Sequence, residues 1–221
     1  MKRVFVFDWD GTVLDSMHVK SGNFGRAFCA ALHCSQDDLL AKEVVKQYLA
    51  LSGRPRKQIF LQIINNLGLN APHNSFKCFS DNFQRMNKAS LIHARIFPDA
   101  LELLEALMNR GREVCISSSV PPGELSDLVE HTLPKHIRCG VTSVLGSSDG
   151  FTKGMGHIQA IVEKTHAPLE GLLMLGDDIA DYELSLEAGV DCVLLNRSGT
   201  SGQYGPRVVS NLIQIKEALT E

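Results

Sequence analysis

Nowhere in this 221-residue chain do eighteen apolar residues follow one another, the length that a membrane-spanning helix requires. The apolar run after Met1, Lys2 and Arg3 is only "VFVF", too short for the core of a secretory signal. The sequence therefore predicts no membrane partner and a cytoplasmic address. Positive charge is not in excess either: 22 Lys and Arg stand against 25 Asp and Glu, a formal charge of -3. With a pI near 6.2 there is no broad basic field to attract nucleic acid, and a small ligand is expected instead. Cys29, Cys34, Cys78, Cys115, Cys139 and Cys192 form no CxxC pair, and Cys115 and Cys192 lie inside apolar runs. That pattern predicts free thiols rather than disulfides or a zinc site. The histidines show no paired metal-ligand spacing, and His157 alone lies close to a group of interest. Internal repeats, low-complexity tracts and long charge runs are absent. What remains is a chain 44% hydrophobic and 21% charged, long enough for a sizeable core and a second small domain.

Short apolar runs punctuate it. "RVFVF" (3–7), "EVCISS" (113–118), "GLLMLG" (171–176) and "DCVLLN" (191–196) end in polar residues or glycine, as strands buried on both faces do. Helical patterns separate them: 98–111, opened by Pro98 and Asp99 and closed by Gly111, then 154–166 and 179–189. Strands alternating with helices predict an α/β fold, a Rossmann-like parallel sheet whose ligand site lies beyond the carboxyl ends of the strands. Residues 16–93 break the alternation. They contain no convincing strand and several helical patterns, near 17–32, around Leu39 to Leu51, around Ile59 to Leu67, and a weaker one after Asn74. The predicted organisation is a core of residues 1–15 and 94–221 with an inserted all-helical domain, 16–93.

The strand ends carry the chemistry. In "VFVFDWDGTVLD" (4–15) an apolar strand runs into Asp8 and Asp10. Two ionised carboxylates about 4 Å apart repel by on the order of 4 kcal/mol at an effective dielectric of about 20, so something must compensate them. The second strand end supplies Ser117, Ser118 and Ser119, a loop supplies Lys153, and "GDDIAD" supplies Asp177, Asp178 and Asp181. Carboxylates, a lysine and a hydroxyl at one sheet edge describe an oxygen-rich Mg²⁺ site with a phosphoryl group beside it. The cation and the lysine are then what compensates the aspartates.

These four segments, "DWDGT", "VCISS", Lys153 and "GDDIAD", resemble in order and spacing the motifs of the haloacid dehalogenase-like hydrolase superfamily. "IFPDALELLEALMNRG" is similar to the linker and helix by which its members return from a helical cap. The likeness is to the phosphoglycolate phosphatase-like branch with a helical cap, and it covers essentially the whole chain. The resemblance implies that Asp8 is a nucleophile giving an aspartyl-phosphate and that Asp10 is the general acid and base. It implies that Ser117, helped by the Ser118 N–H, binds phosphate, and that Lys153 neutralises Asp8 and the phosphoryl oxygens. Asp8, Asp10 and Asp177 would ligate Mg²⁺, Thr12 would offer a hydroxyl contact, and Asp181 would orient Lys153 or a metal-bound water. Asp178 stands as a ligand, a neighbour of the ligands or an N-cap. "TKGMGH" departs from the Lys-Pro form common in the branch.

Substrate choice is expected in the cap, where "SGRPRKQIF" (52–60) takes the place of a loop that related phosphatases present to the active site. There Arg54 and Arg56 either hold a second anion of the substrate or form a solvated basic helix start. The expected activity is Mg²⁺-dependent hydrolysis of a small phosphorylated metabolite. The alternatives are a sugar-phosphate mutase of the β-phosphoglucomutase type, whose usual cap loop "SGRPR" does not match, and a non-catalytic phosphate-binding protein, which the intact acidic set disfavours.

Overall fold

The structure is a computed structural model and describes residues 2–34, 38–197 and 207–218. The chain divides into two compact units, residues 1–15 with 95–221, and residues 16–94.

The first unit is built on a parallel sheet of six strands: β1 (Val4–Phe7), β2 (Glu113–Ser117), β3 (Val141–Leu145), β4 (Leu172–Gly176), β5 (Asp191–Leu195) and β6 (Val208–Val209). Their spatial order is β3-β2-β1-β4-β5-β6. β1 is central and wholly buried, which is why it contains only Val and Phe: both of its faces are covered. Phe7 pairs with Ile116 on one side and Leu175 on the other, so the following residues Asp8, Ser117 and Gly176 reach the same level of the sheet. One face, formed by Val4, Val6, Cys115, Leu172 and Met174, packs against Ile158, Ile161, Ala188 and Val190. The alternation of side chains turns Phe5, Phe7, Val114 and Ile116, all 0% exposed, to the opposite face. Each such side chain stabilises the fold by about 1.5–3 kcal/mol through removal from water. The helices of this unit are α5 (Pro98–Asn109), α6 (Pro122–Thr132), α7 (Lys135–Gly140), α8 (Met155–Thr165), α9 (Ile179–Ala188) and α10 (Ile213–Ala218). Pro98 opens α5 at its first turn, and Gly111, at φ +65°, follows its end in the left-handed conformation.

Among its described residues the second unit has helices as its regular elements: α1 (Met17–Ala31), α2 (Asp38–Ala50), α3 (Arg56–Asn66) and α4 (Ser75–Leu91). Although aromatics make up only 6% of the chain, they concentrate here. Phe24 lies 4.4 Å from Tyr48 and 4.7 Å from Phe79 between ring centroids, and Phe79 lies 4.7 Å from Phe60 and 5.6 Å from Phe83. The segment after Asn74, the weakest helical pattern in the sequence, forms the 17-residue α4. Its buried side chains include the polar Ser75 and Asn87, which interrupt the apolar stripe. Asn87 is satisfied by the Asn23 amide, which donates to its Oδ1 at 2.8 Å and to Ser90 Oγ at 2.9 Å.

All six cysteines are free, with Cys29 and Cys115 buried. Among the described residues no helix is long and apolar enough to cross a membrane.

Candidate active site

The residues of interest gather at the carboxyl ends of β1 and β4. The Asp8 N–H donates to Leu175 O at 2.8 Å, extending the ladder by one residue. The chain then turns tightly, with Gly11 N–H donating to Leu14 O at 2.9 Å and Leu14 N–H to Trp9 O at 2.8 Å. Gly11 sits at φ +82°, and a Cβ there would lie 2.1 Å from Asp177 Oδ2. Both conformation and space therefore require glycine, and the space it leaves is filled by the Asp177 carboxylate. Thr12 Oγ1 donates to the other oxygen, Asp177 Oδ1, at 3.0 Å.

A second glycine does the same for a second carboxylate. A Cβ on Gly176 would lie 2.1 Å from Asp181 Oδ2. Asp181 is placed by a capping box: Asp178 is the N-cap of α9, its Oδ1 accepts from Ala180 N–H at 2.9 Å, and Asp178 N–H donates to Asp181 Oδ2 at 3.3 Å. Asp178 is thus an N-cap, one of the places the sequence left open for it. Lys153, delivered just before α8 by the turn at Gly154, is buried and forms ion pairs with Asp8 and Asp181.

Oxygen atoms of Asp8, Asp177 and Asp181 all lie within 4.8 Å of one another. Burial pushes the Asp8 carboxyl well up, and the charges of Asp181, Asp177 and Asp10 push the same way against Lys153. Burial, with Asp181 adding, raises Asp177 to about 7, against the hydrogen bond from Thr12. Burial works to lower the pKa of Lys153, but the charges of Asp181 and Asp8 outweigh it and hold the ammonium above its usual range. Three carboxylates with one lysine between them are short of positive charge. An all-oxygen donor set with unspent negative charge fits a hard divalent cation such as Mg²⁺.

The end of β2 lies at the level of Asp8. Ser117 Oγ shares a 2.8 Å hydrogen bond with Nδ1 of His157, a histidine 0% exposed in α8. Burial lowers the His157 pKa to about 4, so the imidazole is neutral near pH 7. The Ser118 N–H donates to Leu145 O at 2.9 Å, and its Oγ accepts from Val120 N–H at 3.2 Å. Ser147 ties this loop to the lysine: its hydroxyl donates to Ser118 O at 2.9 Å and accepts from Lys153 N–H at 3.0 Å.

Of the residues singled out by sequence, then, Asp8, Thr12, Lys153, Asp177 and Asp181 meet directly. Ser117 and Ser118 occupy the adjacent strand end, engaged with His157, Leu145 and Val120. The Asp10 carboxylate stands outside the group of three, where Asp181 takes the third place. Arg54 and Arg56 lie in the helical unit. Arg54 lines an open groove with Leu51, Gln58, Gln62 and Asn65, while Arg56 donates to Ser80 Oγ at 3.3 Å and sits 4.9 Å from the Phe83 ring centroid. Sequence patterns did not single out Ser147 or Arg197. Both act largely through main-chain atoms, which no side-chain pattern announces. His157, which the sequence marked for its closeness to Lys153, follows the lysine by four residues in the helix that the lysine precedes.

Over residues 5–195 the sequence matches the haloacid dehalogenase-like hydrolase family. The chain belongs to this family. No curated protein matches it. Its fold is shared by solved structures of low sequence identity. One, from Lactobacillus delbrueckii subsp. bulgaricus and provisionally assigned as a phosphoglycolate phosphatase, is 19% identical at a TM-score of 0.72, with 99% of each chain covered. CbbY from Rhodobacter sphaeroides, solved with phosphate, is 13% identical at a TM-score of 0.77, covering 97% of this chain and 96% of that one. A variant of CbbY was solved with xylulose-1,5-bisphosphate; it is 12% identical at a TM-score of 0.76, with 96% and 95% covered. In this member, Asp8, Ser117 and Asp177 lie at or just beyond the carboxyl ends of β1, β2 and β4, with Lys153 paired to Asp8.

Proposed function

We propose that this hydrolase is a Mg²⁺-dependent phosphatase that removes a phosphoryl group from a small phosphorylated metabolite through an aspartyl-phosphate on Asp8. The observation that carries the proposal is the buried Asp8 carboxylate at the end of the central strand, paired with Lys153 and crowded by Asp177 and Asp181. A carboxylate so placed attacks phosphorus; the new O–P bond forms as the bond to the leaving oxygen breaks, and water later cleaves the acyl-phosphate. Asp10, two residues on and outside the three-carboxylate group, gives a proton to the leaving oxygen and then takes one from the attacking water. Lys153 balances the charge on Asp8 and on the phosphoryl oxygens, while Asp181 fixes the direction of its ammonium. Ser117 is the hydroxyl for phosphate, with His157 on its Oγ, whereas the expected help from the Ser118 N–H is not supported, since that N–H donates to Leu145 O. Asp8 and Asp177, with Asp10 and Asp181 near them, would hold the cation, which when bound offsets the negative charge of carboxylates and phosphoryl group. The helical unit serves as a cap that selects the leaving group, with Arg54 and Arg56 as its candidate anion contacts. A small phosphorylated substrate is supported by the phosphate and sugar bisphosphate bound by CbbY.

The test is hydrolysis of a panel of phosphorylated metabolites and an aryl phosphate, with Mg²⁺ and with chelator. The proposal requires phosphate release that depends on Mg²⁺ and disappears in Asp8→Asn. Full turnover in chelator, or in the Asp8 variant, contradicts it.

A further inference from the structure

Arg197 follows β5 and has no place in the chemistry described above, yet each of its three guanidinium nitrogens donates a hydrogen bond. Nε donates to Gly11 O at 3.2 Å, Nη2 to Thr12 O at 2.9 Å and Nη1 to Asp99 Oδ2 at 2.8 Å. Its central carbon lies 3.7 Å from the centroid of the Phe97 ring. Asp99 is itself held, since Oδ2 accepts from Leu212 N–H at 2.9 Å and Oδ1 from Ala100 N–H at 3.0 Å. Burial works to raise the Asp99 pKa, but the hydrogen bonds from Arg197, Leu212 and Ala100 outweigh it and keep the group an anion. One planar cation thus joins the turn after β1, the start of α5, the end of β5 and the segment entering α10.

The two carbonyls it grips belong to the residues that seat Asp177. Gly11 presents the bare backbone against which Asp177 Oδ2 rests, and Thr12 donates its hydroxyl to Oδ1. Asp177 therefore takes its position from a turn whose own position is set by Arg197.

We propose that Arg197 is a positioning residue for Asp177, fixing the Gly11–Thr12 turn and thereby the cation affinity of the carboxylate site. This rests on the metal-dependent reading of the site given above. The geometry asks for arginine in particular. A planar fork reaches two carbonyls and a carboxylate while its face lies on Phe97, whereas the compact ammonium of lysine cannot span all four.

Calorimetric titration of the metal-free full-length protein with Mg²⁺ or Mn²⁺ alone, in wild type and Arg197→Lys, tests it without reference to turnover. Loss of a residue that orients a metal ligand typically weakens metal binding about 10–100-fold, and a loss of about tenfold is expected for Arg197→Lys. In the phosphatase assay the same variant should need proportionately more Mg²⁺ for half-activation, while the KM for an aryl phosphate at saturating Mg²⁺ stays within about twofold because substrate contacts are untouched. Arg197→Ala should be weaker still and should recover part of its Mg²⁺ affinity when guanidinium ion is added. Should the Arg197 variants fail to fold by circular dichroism, Asp99→Asn replaces them: it leaves the arginine but loosens its anchor, and a smaller loss in the same direction is expected. Unchanged metal affinity in a folded Arg197→Lys or Asp99→Asn overturns the proposal, as does a kcat loss with no change in metal affinity. A wild type that binds the metal but hydrolyses no phosphate ester would instead contradict the phosphatase reading, leaving the Arg197 result legible from calorimetry.

Discussion

The two units of this chain secure their interiors by different means. In the α/β unit aliphatic side chains surround the few buried rings, Phe5, Phe7 and Trp9, and the polar chemistry is confined to the carboxyl ends of strands. There main-chain geometry takes part in placing each functional side chain: Asp177 against Gly11, Asp181 against Gly176, and Lys153 through its own N–H, which donates to the Ser147 hydroxyl. In the helical unit the interior is a stack of aromatic rings with a side-chain polar network, Asn23 to Asn87 and Ser90, and Arg26 Nη2 donating to Asn23 Oδ1 at 2.6 Å. One unit holds charge in fixed positions, and the other stabilises itself through ring packing. Substitutions in the first should therefore change chemistry more than stability, and in the second the reverse.

The largest effect is expected at Asp8. An amide cannot form the acyl-phosphate, so Asp8→Asn should lower kcat by at least about 10³-fold. Its thermal midpoint should be no lower than that of the wild type, because the buried carboxylate is crowded by like charges. Steady-state kinetics and a melting scan check both halves. A variant that loses stability rather than turnover would erase the contrast between the units.

Next comes Phe79, 0% exposed at the centre of the aromatic cluster. Phe79→Ala removes a large ring that its neighbours cannot replace and should cost about 3–5 kcal/mol. Denaturant unfolding measures the loss, while calorimetric Mg²⁺ affinity of the folded protein, a property of the α/β unit, should be unchanged.

A smaller effect sharpens the electrostatic side. His157 has a pKa lowered to about 4 by burial, with the charge of Lys153 adding to the effect, against the ordinary value of about 6.5. Unfolding therefore takes up a proton between these values. The stability that His157 contributes is fully present above pH 6.5 and is lost as the pH falls from 6.5 toward 4. Its share of the slope approaches about 1.4 kcal/mol per pH unit. Across that window His157→Gln should show a flatter fall in stability than the wild type. Parallel pH profiles would mean that the imidazole is not held neutral.

What could be read in advance follows the same contrast. β1, β2, β4 and β5 were legible because uninterrupted apolar runs mark strands covered on both faces, and the helix from Pro98 carried both of its end signals. β3 was not, because Val141–Leu145 is an edge strand of the sheet, only half buried, with Thr142 and Ser143 breaking the apolar run. β6, two residues long, offers no pattern at all. α4 was underrated because Ser75 and Asn87 occupy buried positions that periodicity expects to be apolar. In the site, Asp8, Lys153, Asp177 and Asp181 were legible because their side chains are the chemistry. Gly176, Ser147 and Arg197 were not: a missing Cβ, a hydroxyl between two main-chain atoms and a fork on two carbonyls act through backbone geometry that exists only once the chain has folded.

The central claim is that Asp8 becomes covalently phosphorylated, and Asp10→Asn offers the most direct view of it. With proton transfer impaired, hydrolysis of the acyl-phosphate should slow, by about 10²–10⁴-fold if general base catalysis by Asp10 supplies its usual share. Incubating this variant with Mg²⁺ and its best substrate, quenching in acid and mapping peptides by mass spectrometry should show a phosphoryl group on the peptide containing Asp8, absent from the Asp8→Asn, Asp10→Asn double variant. Phosphate release with no phosphopeptide at any quench time, or a phosphoryl group that persists in the double variant, would contradict the account.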